Sequence, residues 1–461
     1  MTSDDREELL LSLRSGTRSA ETAGRAGRSF YPVAEHLRVL EPEVVLVVGD
    51  PGAGKTLLFN VLSSDTLRGA AMRRASGVRV VRGEAEWLRG YPMARWPRPP
   101  DGHILLHQDH AHEETAATKF WLSSLVDALQ PHFAGDPASA LVVLESLDRR
   151  LAQEDRWAFV TYDALETLAG GTVRGLLRLW AEHGRRWSRI RPKMFLRTDI
   201  YKYHVRDIVD EMIKSYGDHV ELSWSDKNLY GAMLKHLANL SNAWFLYCKR
   251  SSGDRVRFDF DPVLEHIPIL ARREDARSFV ERLVGRYMGA AKVKGEAFSW
   301  LLDHLRDGNG KVFPRSLFLL LENAAALELE NGHASGSQVL SPIALRNALD
   351  DGSQAHVQEI ATEIRWLPKL KVCLHSDPRV PWESRHVLVA ALAAGWDVWS
   401  GEDQDSRPPA SSPEQLVDML LDLGIVRDRG NGKYDVPDLY LHGLGLKRKG
   451  GVSKGTRQSA R

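Results

Sequence analysis

The sequence is short of cysteine, of net charge and of long apolar runs. Its two cysteines, Cys248 and Cys373, form no CxxC pair. That excludes a disulfide framework and a cysteine-based zinc site. Net charge is +1, so no global field draws the chain to nucleic acid or membrane, and only local basic patches remain to do so. No apolar run approaches the roughly 20 residues of a membrane span. The opening MTSDDREELL is acidic and lacks a basic-then-apolar signal segment. The expectation is a soluble, cytoplasmic protein with no membrane partner.

What is present is ordinary globular composition, 43% apolar and 27% charged. At 461 residues the chain is too long for one core. Residues 1–40 form a polar, partly helical lead-in. Across 41–225, apolar runs of strand length alternate with helical patterns, which predicts a doubly wound α/β domain. Its strands are "VVLVV", "RWAFVTY", "RPKMFLR" and "DHVELSW", with "GVRVVRG" a further edge strand and "HILLHQ" another. Strand signals almost vanish over 226–365, which reads as an all-α lid. There Pro314 suits the first position of a long helix and Gly332 its stop. Over 366–446, two helices precede a hairpin signal at Arg-Gly-Asn-Gly, the order of a winged helix. Residues 447–461 are a tail with six basic residues and no acidic one, read as disordered.

Gly49-Asp50-Pro51-Gly52-Ala53-Gly54-Lys55-Thr56 matches G-x-x-x-x-G-K-S/T. Glycines let backbone N–H groups curl around phosphate oxygens, and the helix entered through Leu57 points its positive end there. Lys55 then reaches the β- and γ-phosphates, and the Thr56 hydroxyl completes a Mg²⁺ shell. "FVTYDALE" delivers Asp163 from an apolar strand as the second Mg²⁺ residue, with Glu166 three places on as candidate base for the attacking water. The plain alternative is a strand end followed by an acidic surface helix. "KMFLRTDIY" puts Arg197, Thr198 and Asp199 at a strand's C-terminal end, where a parallel sheet opens its ligand crevice. Arg197 is a candidate γ-phosphate sensor there, against a strand-end salt bridge. Arg315, in the first turn of the long lid helix, opposes the helix dipole. It is read as awaiting an anion, against a solvated arginine.

Other features carry less. His103, His107, His110 and His112, with Asp109, make a metal site conceivable against a polar loop. Trp121, Trp157, Trp180, Trp187 and Trp224 are read as core. No Asn/Thr-Lys-x-Asp guanine motif stands out, which favours ATP over GTP.

The ordered set "GDPGAGKT", "FVTYDALE", "KMFLRTDIY", "VELSWSDKNLYGAML", "FPRSLFLLLENA" and "LLDLGIVRDRGNGKYDVPDLYLHGLG" resembles bacterial P-loop ATPases of the STAND/KAP-like group, in the additional-strand catalytic-glutamate division. The resemblance spans about residues 40–445. It implies Lys55 and Thr56 as Walker A, Asp163 and Glu166 as the Walker-B pair, Arg197 as sensor 1 and Arg315 as a lid sensor. It also implies an ATP-operated switch that often assembles, and many such proteins accompany bacterial conflict and anti-phage systems. The usual DD-x-D signature is replaced by Tyr162-Asp163-Ala164-Leu165-Glu166, which points to slow hydrolysis.

The expected function is therefore a slowly hydrolysing ATPase switch that signals to a protein partner or assembles with itself. The alternative is a DNA-binding AAA+-type ATPase, similar in architecture to replication initiators, using the winged helix and basic tail. The wing offers Arg427, Arg429 and Lys433, but the helix "PEQLVDMLLDLG" carries Glu414, Asp418 and Asp422 and no Lys or Arg. Like charge opposes its use in a DNA groove. A small-molecule kinase would leave the lid and winged helix without a role.

Overall fold

A computed structural model describes residues 2–15, 26–81, 83–92, 114–130, 137–168, 170–289, 294–332, 334, 338–402 and 406–449. The loop before residue 103, the "HILLHQ" strand, the His103–His112 cluster and all of the tail beyond Lys449 lie outside these. The chain forms two compact units. One is continuous, Ser15–Ser278; the other joins Met1–Arg14, with helix α1 (Ser3–Arg14), to Phe279–Arg461. This division cuts the chain at 14/15 and at 278/279, and is coarser than the boundaries at 225 and 365 proposed from sequence.

The continuous unit is built on a five-stranded sheet. Its strands are β1 (Val44–Gly49), β2 (Ala85–Tyr91), β3 (Trp157–Tyr162), β4 (Ile190–Arg197) and β5 (Asp218–Glu221). They run parallel in the order β2-β3-β4-β1-β5. The chain crosses from β1 to the far edge, returns through β3 and β4, then passes β1 to reach β5. The connections thus run in both directions from β1, the strand order of a doubly wound sheet. β1 is buried throughout, which is why it reads as an unbroken aliphatic run.

The helices of this unit are α2 (Lys55–Leu62), α3 (Asp65–Arg74), α4 (Glu114–Leu129), α5 (Pro137–Gln153), α6 (Gly170–His183) and α7 (Arg206–Tyr216). Trp121, Trp180 and Trp187 are core as expected, with Tyr162 packed edge-on to both Trp121 and Trp180. Buried Asp148 of α5 accepts from the backbone N–H groups of Ser188, Arg189 and Ile190 at 2.9, 2.7 and 3.1 Å. These bonds fix the turn into β4. Lys193 of β4 is fully buried and donates to the Glu41 and Val44 carbonyls at 2.5 and 2.6 Å, with burial driving its pKa well below that of an ordinary lysine.

The edge strand differs from expectation. "GVRVVRG" is not a strand; the edge is β2, Ala85–Tyr91, paired to β3. Val78, Val80 and Val81 supply β-branched character but gain no pairing partner, whereas Trp87 of β2 stacks on Phe159 of β3 at 4.4 Å. Tertiary packing, not propensity, chose the strand.

Helices α8 (Asp226–Ala238) and α9 (Asn242–Ser252) follow, capped by Ser225 and Ser241. A hairpin then interrupts what sequence presented as all-helical. β6 (Arg257–Asp261) and β7 (Glu265–Ile269) pair antiparallel and finish the unit.

In the other unit, α10 (Pro314–Asn331) starts on a first-turn proline and stops at left-handed Gly332, as its sequence announces. It packs on α11 (Pro342–Glu363) and on α1. Leu9, Leu10 and Leu13 of α1 are buried, and Arg6 donates to the Gln338 and Ala334 carbonyls at 2.9 and 3.0 Å. The last elements are β8 (Arg379–Val380), α12 (Arg385–Ala394), α13 (Pro413–Asp422), β9 (Arg427–Asp428), β10 (Tyr434–Asp435), α14 (Asp438–Leu441) and β11 (Lys447–Arg448). β9 and β10 make the hairpin, with left-handed Gly430 and Gly432 flanking its tip, and β11 pairs β8. This is a winged helix. Among the described residues no helix is long and apolar enough to cross a membrane.

Candidate functional site

Because the sheet is parallel, the C-terminal ends of β1, β3 and β4 share one edge. Gly49 ends β1, Asp163 follows β3, and Arg197 ends β4 directly beside Gly49 in the register. At that edge Gly52 and Gly54 take φ values of 77° and 101°, conformations that a side chain would strain. The turn they allow leads straight into α2. Lys55 is buried, and its ammonium folds back onto the Gly49 and Asp50 carbonyls at 3.0 and 3.2 Å. Thr56 stays exposed at the surface of the turn, and Leu57 is half-buried.

Asp163 sits two strands from β1, yet its carboxylate accepts a hydrogen bond from the Thr56 hydroxyl. It is 2% exposed, and its pKa is raised to about 6. Burial is the main cause; the Thr56 bond opposes it, the Glu166 charge adds to it, and Lys55 offsets part of it. Glu166 is thus near enough to be felt electrostatically, on a short 3-10 turn, Leu165–Thr167, where it is half-exposed. Ala164 joins the two acids at φ 55°, a left-handed conformation that costs a non-glycine residue about 1–2 kcal/mol. Such outliers cluster where a fold must aim a side chain.

Arg197 is buried, and Asp199 holds its guanidinium through two bonds, 2.9 and 2.5 Å. The strand-end salt bridge considered as the plain alternative is therefore present, at a position beside the loop. Arg315 belongs to the C-terminal unit. There it lies half-buried on the first turn of α10, near enough to His356 of α11 for its charge, after burial, to help lower that imidazole's pKa to about 3.

Of the five tryptophans read as core, Trp157 is half-buried on β3, and Trp224 is misplaced with more consequence. It is half-buried rather than core, and its indole N–H donates to the Ala53 carbonyl inside the loop at 2.9 Å. His36 meets the Trp224 ring edge-on at 5.0 Å and donates from Nε2 to the Ser223 carbonyl at 2.7 Å. Burial keeps that imidazole's pKa below its ordinary value. No local signal marks Trp224, because its partner is far away in sequence. Among the described residues no group of three or more His, Cys, Asp or Glu side chains is placed to hold a metal alone.

In the winged helix the cations expected to be free are engaged. Asp435 is fully buried and accepts from Arg427 at 3.0 Å, from Arg429 at 2.9 and 2.5 Å, and from Arg448. Burial alone would raise its pKa, but the three guanidinium partners hold it below the usual carboxylate range. Lys433 pairs with Glu383 at 2.7 Å. The exposed face of α13 presents Glu414, Asp418 and Asp422.

A glycine turn after β1, closed against an aspartate two strands away with one strand inserted between, defines a P-loop NTPase fold of the AAA+ type, followed by helices and a winged helix. No family model and no curated protein matches the sequence. Among solved structures, the chain is similar to the Aeropyrum pernix ORC2 protein in ADPNP–ADP complexes, with 14% identity and a TM-score of 0.40 over 89% of this chain and 91% of that one. It is also similar to Cdc6p from Pyrobaculum aerophilum, with 13% identity and a TM-score of 0.31 over 89% and 91%. Aeropyrum pernix ORC1 in complex with DNA gives 13% and 0.34 over 93% and 92%. At such identities and scores, the chemistry must be read from this chain's own residues.

Proposed function

We propose that this chain binds Mg-ATP at Gly49–Leu57 and hydrolyses it slowly, as an AAA+-type ATPase whose nucleotide state governs its C-terminal winged helix. The observation that carries this reading is the meeting of Thr56 with Asp163 at the phosphate edge, residues far apart in sequence whose oxygens together suit a phosphate-bound cation. Lys55 would leave the Gly49 and Asp50 carbonyls for the β- and γ-phosphates, exchanging two neutral acceptors for charged ones. Thr56 and Asp163 would hold the magnesium, which when bound neutralises charge building on the phosphate oxygens. Glu166 would orient or deprotonate the attacking water. Arg197, released in part from Asp199, and Arg315 would act as γ-phosphate sensors.

The readout would be a protein partner or self-assembly, in the manner of the STAND/KAP-like switches this sequence resembles, with a bacterial conflict or anti-phage setting. The paired wing cations and the acidic face of α13 support this choice. DNA is the second reading, favoured by residues 447–461, which hold six basic side chains and no acidic one, with Arg448 and Lys449 already paired to acids. The two part on salt: DNA binding through that segment would weaken steeply as salt rises.

The primary test is turnover by wild type and Glu166→Gln, with mass measured in ATP and in ADP. Slow hydrolysis lost in the variant while ATP binding persists is the expected result. Absence of nucleotide binding by the wild type would end the proposal. Trp224→Phe keeps an aromatic ring but loses the indole N–H and its bond to Ala53. One such bond contributes about 0.5–1.5 kcal/mol, so the Kd for ATP should rise about two- to tenfold with little change in kcat. An unchanged Kd would show that Trp224 does not shape the loop.

A further inference from the structure

One surface of the continuous unit sets an exposed ring, packed beside half-buried ones, near cations. Phe260 of β6 is 65% exposed, the highest figure for a large apolar side chain among the described residues. It pairs across the hairpin with His266, and Phe258 pairs with Pro268, so these side chains share one face. Phe245 of α9 closes the group: its ring stacks on His266 at 3.7 Å and 10°, and meets Phe258 edge-on at 5.7 Å. Phe260 tilts over His266 at 5.5 Å. Burial, ahead of the opposing charge of Glu265, lowers the His266 pKa and favours a neutral ring.

Strand alternation sends the acids to the opposite face. Asp259 pairs with Arg74, Asp261 with Arg73 and Glu265 with Arg28, all through side chains. On α9, exposed Lys249 lies on the side of this face, and exposed Arg250 is next to it in sequence. Lys249 follows Phe245 by one helical turn, which places both on the same side of α9. Residues 249–257 hold four basic side chains and one acidic one.

We infer that the face formed by the β6–β7 hairpin and α9 binds single-stranded nucleic acid, with bases stacking on Phe260 and its neighbours and phosphates meeting Lys249 and Arg250. Flat rings beside cations are what an unpaired strand needs, since every base has a π-face and every linkage a charge. This surface belongs to the continuous unit, and the winged helix to the other.

The test is fluorescence anisotropy of the full chain with labelled oligothymidylate and oligouridylate of about 20 nucleotides, and with a duplex of the same length. Phe260→Ala and the double variant Lys249→Glu, Arg250→Glu are compared with wild type. Both change exposed side chains, and circular dichroism melts verify folding. Single strands should bind more tightly than duplex, and Phe260→Ala should weaken them about 5- to 100-fold. The charge variant should weaken them further as salt falls and flatten the salt slope by about 1.4 for two lost phosphate contacts. The two oligonucleotides distinguish DNA from RNA as the source of the strand. The inference is overturned if wild type fails to bind either oligonucleotide at low salt, or if Phe260→Ala binds as wild type does. It is equally overturned if Phe260→Ala converts an oligomer to a monomer while leaving single-strand affinity intact, because the face is then a protein interface.

Discussion

Nucleotide-free Asp163→Asn protein is expected to melt above wild type at pH 7.5, and to have lost both Mg-dependent ATP hydrolysis and the stabilisation that Mg-ATP gives the wild type. The reason is the carboxylate's setting: 2% exposed, with a pKa lifted from 3.8 to about 6 mainly by burial. A raised carboxyl pKa means that ionisation costs the folded state. The cost is absent below the unfolded pKa near 3.8, grows between 3.8 and 6, and is complete above that. Converted, the shift is about 3 kcal/mol, which for a unit of this size is roughly 5–10 °C of melting temperature. The gap between variant and wild type should therefore close as pH falls from 7.5 toward 4. Differential scanning fluorimetry across that range reads it directly. A variant that melts lower than wild type at pH 7.5 would mean the carboxylate is already satisfied without a cation, which removes the main support for a magnesium site.

Asp435→Asn should produce the largest loss of stability in the C-terminal unit. The wild-type carboxylate is fully buried and serves Arg427, Arg429 and Arg448 together, while Arg448 also reaches Asp438 at 2.6 Å and Asp438 meets His304 at 2.6 Å. Asp435 is buried but its arginine partners are about a third exposed, so water compensates them in part and losing the charge-assisted bonds should cost about 1–3 kcal/mol. Arg427→Gln should cost much less, because Asp435 keeps two guanidinium partners. Urea unfolding followed by circular dichroism separates the two. The sign with pH is opposite to that of Asp163. Asp435 has a depressed pKa, so its contribution is present above the unfolded carboxylate pKa and is lost as pH falls through the lower folded value. Equal losses for Asp435→Asn and Arg427→Gln would show that the cluster is not held by its single acid.

Residues whose chemistry is written locally were legible. The Gly49–Thr56 turn, the aspartate after β3, the proline-to-glycine span of α10 and the Arg-Gly-Asn-Gly tip each depend on neighbours in sequence, and each stands where the pattern put it. What escaped depends on distant partners. Trp224 looks like any core tryptophan until Ala53 arrives from the other side of β1. Arg427, Arg429 and Lys433 look like a DNA-ready wing until Asp435 and Glu383 neutralise them. β6 was legible after all: Arg257-Phe258-Asp259-Phe260-Asp261 alternates charged and apolar residues with the strand period of two, a signal that the all-helical reading of this span passed over. β2 carries too little apolar surface to rival the valines before it. Edge elements are selected by what they pack against, and periodicity carries little of that.

The order of the chain sets a timetable for its synthesis. Helix α1 is made first, but Leu9, Leu10 and Leu13 find their burial against α10, a helix made only after the whole of Ser15–Ser278. On the ribosome the continuous unit can close while α1 waits with its leucines exposed. The C-terminal unit becomes complete only when both ends of that insertion are anchored in one body. Such late, long-range closure is slow, and it leaves apolar surface open in the meantime. Nascent chains stalled before residue 314 should accordingly be the aggregation-prone species, and the ones that a chaperone holds.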